Sequence, residues 1–224
     1  MYPSSTPMPI SHTHPMPVDH AAHPRRGVRA LKRLALWGTG LALSVVATAA
    51  LVWGAIQWDG NFHEVEPQRF YRSAQMDGPA LRQAIKQHGI KTVLNLRGTN
   101  RGEPWYEQEL SATQTEGVTH LDMSLSAYRE LSPAQMAELA RLMADAPKPL
   151  LVHCESGADR TGLASALYKL SQGVPLAQAS EELSARYGHF PLLVPRSAAM
   201  DRSLARYAAS LASAAANATA TTAP

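Results

Sequence analysis

The chain has one cysteine, Cys154, in 224 residues. A lone thiol excludes any intrachain disulfide and any multi-cysteine zinc site, so the fold must stand on its hydrophobic core. At 45% hydrophobic residues, the chain has enough apolar side chain for one. A surplus of charge is also missing from most of the sequence. Residues 59–224 carry 16 Lys and Arg against 17 Asp and Glu, which leaves no basic footprint for nucleic acid and argues against that class of partner. The net +3 comes from residues 1–58, where Arg25, Arg26, Arg29, Lys32 and Arg33 are opposed only by Asp19. No internal repeat is evident. At about 100–200 residues per domain, the length fits a single domain with appendages.

Residues 1–24 hold six prolines and four histidines without an apolar period. Such a segment has too little surface to bury against its ordering entropy, and residues 1–33 read as a disordered basic tail. His12, His14, His20 and His23 have no Cys or carboxylate partner at fixed spacing, so no metal site is assigned and no cofactor is called for.

Leu34 to Trp58 is a run of 25 residues without a charge. At 1.5 Å per residue a helix of that length crosses about 30 Å of hydrocarbon, and residues 34–58 read as a transmembrane helix. Trp37, Trp53 and Trp58 lie toward its ends, where amphipathic rings favour the interface. The basic cluster precedes the run, and Asp59, Glu64 and Glu66 follow it. The positive-inside rule then puts the amino end in the cytoplasm and the rest of the chain outside the inner membrane. A cleaved signal peptide is the alternative, since Ala47-Thr48-Ala49 has the small-x-small form that signal peptidase accepts.

Beyond the apolar run, strand and helix signals alternate. A short strand starts at Phe70-Tyr71. Asp77 caps a helix with Pro79 in its first turn and Gly89 as its stop. Lys91–Leu96 reads as a strand, Pro104–Glu116 as a helix closed by Gly117, and Val118–Met123 as a strand. Ser132 caps a helix that opens with Pro133 and repeats Met136, Leu139, Ala140 and Met143 at helical spacing. Pro149–His153 is short and apolar, which suits a buried central strand. Helices are expected over Thr161–Gln172 and from Pro175 to about Tyr187, and the Ala, Ser and Thr-rich end over residues 208–224 as a disordered tail. The fold class is therefore α/β, a central, mostly parallel sheet flanked by helices and preceded by one transmembrane helix, with the globular domain at 59–207.

Between the buried strand and the next helix lies His153-Cys154-Glu155-Ser156-Gly157-Ala158-Asp159-Arg160-Thr161-Gly162. A strand–loop–helix turn of this kind curls its backbone N–H groups around an anion, with the positive end of the helix dipole adding to the field. Gly157 supplies a backbone shape that a side chain would resist. A cysteine at the start of such a loop is expected to be largely thiolate, and the thiolate is the nucleophile. Arg160 offers a planar fork for two phosphate oxygens and for the charge of a transferring phosphoryl group. Thr161 is placed to give its hydroxyl to the sulfur. Glu155, Ser156, Gly157 and Ala158 complete the anion-binding turn. His153 reads as an orienting partner of the loop backbone. Arg72, Arg97, Arg101 and Arg129 stand at or after strand ends and are candidates for the rim.

This loop resembles the His-Cys-x5-Arg-Ser/Thr signature of the cysteine-dependent phosphatase superfamily. Together with YRSAQ and KTVLNLRG upstream, HCESGADRTGL is similar to the bacterial dual-specificity-type branch over roughly residues 66–190. The resemblance implies a tyrosine-phosphatase-like fold and hydrolysis of phosphate monoesters through a cysteinyl-phosphate intermediate without metal. The implied substrate is a phosphorylated protein or lipid. It also implies a proton donor for the leaving oxygen. Asp159 matches relatives with an Asp directly before the signature arginine. Asp122, 32 residues before Cys154, matches relatives that place the acid on a neighbouring loop, and Glu130 is a third candidate. Two other functions compete. A rhodanese-like sulfurtransferase also keeps a cysteine in an anion-cradling loop, but the Asp-Arg-Thr-Gly ending argues against it. A catalytically dead phosphate-recognition module would be marked by loss of Cys154, Arg160 or Gly157, and all three are present.

Overall fold

The computed structural model describes residues 25–58 and 60–221. His12, His14, His20 and His23 lie outside them. The chain divides into two compact units, Met1–Thr48 and Ala49–Pro224. Helix α1 (Arg25–Trp58) begins in the first and ends in the second. Within α1, Ala35–Gly54 is long and apolar enough to cross a membrane. The helix starts at Arg25, so residues 25–33 are helical where the sequence suggests a disordered tail. Arg, Leu, Lys and Ala are all good helix formers, and they extend a helix already nucleated by the apolar run.

The second unit is built on a five-stranded sheet. Its strands are β1 (His63–Glu66), β2 (Phe70–Ser73), β3 (Thr92–Asn95), β4 (Thr119–Asp122) and β5 (Leu150–His153), in the order β1-β2-β5-β3-β4. β5 is central and pairs in parallel with β2 on one side and β3 on the other. β4 continues the parallel set, and only β1 runs antiparallel. Alternation along β5 serves two cores. Leu150 and Val152 join Phe70 and Leu94 against α4 (Pro133–Asp145), α5 (Asp159–Ser171) and α7 (Ala199–Thr221) through Leu139, Met143, Leu163, Leu167, Met200 and Leu204. Leu151 joins Tyr71 and Val93 on the other face, against Leu81, Ala84 and Ile85 of α2 (Gly78–His88) and Ala112 of α3 (Pro104–Glu116). The apolar Leu150–Val152 of β5 is thus covered on both faces.

Local punctuation places the helices. The Asp77 side chain accepts from Ala80 N at 2.8 Å, and Gly89 ends α2 in the left-handed region. Ser132 and Gln135 form a reciprocal capping box at the start of α4. Three further predicted segments differ from the sequence reading. The expected helix from Pro175 to Tyr187 is broken into α6 (Leu176–Ala179) and 3-10 turns at Ser180–Glu182 and Ala185–Tyr187. The Glu182 carbonyl accepts from the buried Arg72 side chain instead of from a helical N–H. α5 begins at Asp159, two residues before the expected start, so Asp159 and Arg160 lie on its first turn. α7 runs to Thr221, through the run read from sequence as a disordered tail, because alanine has the highest helix propensity of any residue.

Candidate active site

The site lies where β5 hands over to α5, beyond the carboxyl ends of the central parallel strands. Cys154 is the first residue past β5 and is 1% exposed. Three successive carbonyls of the following turn are held by donors outside it. Gln75 N donates to Glu155 O at 3.0 Å, Asn61 Nδ2 to Ser156 O at 2.9 Å, and Arg72 Nη2 to Gly157 O at 2.7 Å. In a trans peptide the N–H points away from its own carbonyl. The N–H groups of Ser156 and Gly157 are therefore turned to the opposite side, as an anion cradle requires, and that of Ala158 donates to Ser156 Oγ at 3.4 Å. Gly157 has φ +73°, and a Cβ there would fall 2.7–2.8 Å from the backbone of Ser73 and Ala74. Only glycine lets the turn nest this closely on the end of β2.

Arg72 is the brace of this turn and not a rim residue. It is fully buried, with Nη1 2.5 Å from Glu182 Oε2 and its guanidinium 3.7 Å over the Tyr187 ring. Burial draws its pKa down, and Glu182 opposes the effect. Lys169 also reaches Glu182, at 2.5 Å, so one carboxylate serves two cations. Gly162 permits this packing, since a Cβ there would lie 2.7 Å from the Glu182 carbonyl.

Glu155, Ser156, Asp159 and Arg160 line a cleft of about 580 Å³, whose apolar wall includes Tyr128, Phe190 and Leu193. Arg160 Nη1 donates to Leu125 O at 3.3 Å, while its Nε is buried and unpartnered among the described residues. Thr161 Oγ1 and Ser73 Oγ are likewise buried without a partner. Unpaired buried polar atoms are rare in folded proteins, and three of them around one anion-binding turn fit a site completed by a bound oxyanion. Arg97 stacks over Trp105 at 3.6 Å, and Arg101 and Arg129 are exposed; none of the three lines the cleft.

Of the three acid candidates, the structure brings only Asp159 into the cleft with Arg160. Asp122 ends β4, where it accepts from Asn95 Nδ2 at 2.8 Å and from the Tyr106 hydroxyl. Glu130 is clamped by Arg202 and Arg206 of α7. Asp159 Oδ1 lies 2.6 Å from His189 Nδ1, and Asp201 Oδ2 lies 3.0 Å from the other ring nitrogen. Burial alone would lower the His189 pKa, but the two carboxylates outweigh it and hold the imidazole above its ordinary value.

His153 supports the loop from below. Its Nδ1 is 3.3 Å from Cys154 O, and its Nε2 is in ion-pair contact with Glu109 at 3.1 Å. Glu109 is itself buried, and burial works to raise its pKa. His153, His120 and Gln75 prevail and keep it well below the usual carboxylate range. His189, Asp201, Glu109 and Glu182 were not marked by the sequence reading. Each acts on a partner distant in sequence, and no local motif flags such pairs. Among the described residues no group of three or more His, Cys, Asp or Glu is arranged to hold a metal.

A thiol at the foot of an oxyanion cradle, with a guanidinium nitrogen left free on the next helical turn, is the apparatus of a cysteine-dependent phosphatase, in which the cysteine and the arginine act on one phosphoryl group. Sequence comparison gives the family. The chain belongs to the tyrosine phosphatase family, whose model matches residues 54–217. A search of curated proteins finds no match. Among solved structures the chain is similar to TpbA of P. aeruginosa, at 24% identity over 63% of this chain and 83% of that one, with a TM-score of 0.49. It is also similar to the core catalytic domain of the PP-IP phosphatase SIW14 from S. cerevisiae in complex with citrate, at 20% identity over 58% and 77%, TM-score 0.50. The Siw14 catalytic core superposes at 19% identity over 67% and 90%, TM-score 0.51. The two SIW14 likenesses show the fold.

Proposed function

We propose that the protein is a membrane-anchored phosphomonoesterase that works through a cysteinyl-phosphate on Cys154. The catalytic domain occupies residues 59–207, and the helix at 34–58 anchors it to the inner membrane with the domain on the extracytoplasmic side. The observation that carries the reaction is the turned-in cradle of 155–158 next to the unpartnered Arg160 Nε. In the first step the Cys154 thiolate attacks phosphorus and the ester P–O bond breaks. Asp159 gives its proton to the departing oxygen. In the second step water attacks the phosphorus of the cysteinyl-phosphate, its proton passes to Asp159, the S–P bond breaks and inorganic phosphate leaves. Arg160 and the loop amides hold the three non-bridging oxygens throughout, and Thr161 donates its hydroxyl to the sulfur as it leaves.

The apolar wall of Tyr128, Phe190 and Leu193 supports an ester whose carbon part is aromatic or lipid-like, and so a phosphotyrosine or phosphorylated-lipid substrate. Anchoring beside a bilayer favours the lipid, and placement outside the cytoplasm disfavours cytoplasmic phosphoproteins. Assay of the full-length protein against phosphotyrosine peptides, aryl phosphate and vesicles bearing a lipid phosphomonoester ranks the classes. Cys154→Ser removes turnover of every substrate by several orders of magnitude and keeps vanadate binding. Retention of more than about a hundredth of the wild-type rate contradicts the covalent route.

A further inference from the structure

His189 is 1% exposed and sits between two carboxylates from different helices. Asp159 opens α5 and Asp201 lies in the first turn of α7. Both ring nitrogens face acceptor oxygens, at 2.6 Å and 3.0 Å, so both hydrogen bonds are made only when both nitrogens carry protons. Asp159 and Asp201 are the charged groups that face the ring, and both favour the imidazolium. Asp201 is 44% exposed and reaches solvent, whereas Asp159 faces the cleft.

We propose that His189 is a positioning residue that holds Asp159 in place and keeps it supplied with the proton it gives to the leaving group. The inference rests on the reading of Asp159 as the general acid. The Asp159 carboxylate and the His189 ring face each other across one 2.6 Å hydrogen bond, and the proton in that bond can move between them. As the ester P–O bond breaks, the one shared proton passes from His189 Nδ1 through the Asp159 carboxylate to the leaving oxygen, leaving ionised Asp159 and neutral imidazole. When water attacks the cysteinyl-phosphate, the proton it sheds returns through Asp159 to His189. The proton balance closes over one turnover, and Asp201 stabilises the charged ring between cycles. A carboxyl group with no such partner is largely ionised at neutral pH and has no proton to give. His189 between its two carboxylates holds its proton to higher pH than an ordinary imidazole. The acid function is therefore present below that raised value and is lost as pH rises through it.

The experiment uses the full-length protein and two esters, phenyl phosphate with a poor leaving group and dinitrophenyl phosphate with a good one. His189→Asn keeps a donor to Asp159 but has no titrating proton. It is expected to slow phenyl phosphate by about 10²-fold or more at neutral pH, with far less effect on the dinitrophenyl ester, which departs without protonation. The basic limb of the phenyl phosphate profile moves to lower pH by roughly two to three pH units, the gap between an ordinary imidazolium and a carboxylic acid. Asp159→Asn and the double variant fall to the same level, because the two groups act as one. Asp201→Asn leaves the ring in place but removes one of its two charges, and shifts the same limb in the same direction by a smaller step. A structural pin predicts otherwise, with equal losses on both esters and an unmoved basic limb, and either result in a folded variant overturns the inference. Cys154→Ser separates the two levels of argument. If it is silent, the covalent mechanism itself is wrong; if it is inactive while the limb stays fixed in His189→Asn and Asp201→Asn, only the role of His189 is lost.

Discussion

The turn proposed to bind the phosphoryl group is held by residues outside the proposed chemistry. Arg72 and Glu182 are 110 positions apart and almost fully buried, and together they fix the Gly157 carbonyl and the turn after α6. Removing one partner of a buried pair leaves the other charge uncompensated, at a cost of about 3–5 kcal/mol. Glu182→Ala is therefore expected to lower the unfolding free energy in urea by about that amount. It also strands Lys169. A loss under about 1 kcal/mol means that water or relaxation replaces the carboxylate, and the brace is weaker than its geometry suggests. At this scale the sequence was legible only locally. Cys154, Arg160 and Asp159 fall within seven consecutive residues, so a loop read as a loop collects them. Arg72 reads from sequence as a rim candidate, because nothing near it in sequence announces Glu182, Gly157 or Tyr187. The same holds for His189, whose two partners lie 30 and 12 positions away.

Helices with a punctuated start or end were legible, and segments without one were less so. α2 has Asp77 and Gly89 and α3 has Pro104 and Gly117, while α4 is marked at its start by Ser132 with Pro133. In each case a backbone rule fixes the boundary whatever the surroundings do. β5 was readable as central because Leu150–Val152 has no polar face to give to solvent. β1 went unmarked, since His63–Glu66 is four residues long and mostly polar, and is a strand because β2 offers an edge to pair with. The segment after Pro175 has helical composition, but its turns answer to tertiary partners, Arg72 at the Glu182 carbonyl and Asn61 at the Tyr187 carbonyl. α7 shows the opposite error. Its Ala, Ser and Thr composition suggested low complexity, yet it continues a helix anchored by Met200 and Leu204 in the core.

For the molecule as a whole, the proposed function rests on two features, the turn between the central strand and α5 and an apolar helix ahead of the sheet. The second was visible as a 25-residue uncharged run with all its flanking basic residues on one side. A reporter that is active only outside the cytoplasm, fused after Gln68, is expected to be on, with the full chain retained in membranes after a high-salt wash. Cytoplasmic reporter activity contradicts that orientation, and a soluble product shortened by about 49 residues means a cleaved signal peptide.

The central claim is that phosphate passes through the sulfur of Cys154, and the intermediate itself can be observed. Full-length protein mixed with dinitrophenyl phosphate and quenched in acid within the first turnovers should yield, after proteolysis, a Cys154-containing peptide heavier by one phosphoryl group. Asp159→Asn should accumulate more of it, because the water that hydrolyses the intermediate then lacks its base. A peptide that never carries phosphate while the ester is turned over, or phosphate found on another residue, contradicts the account.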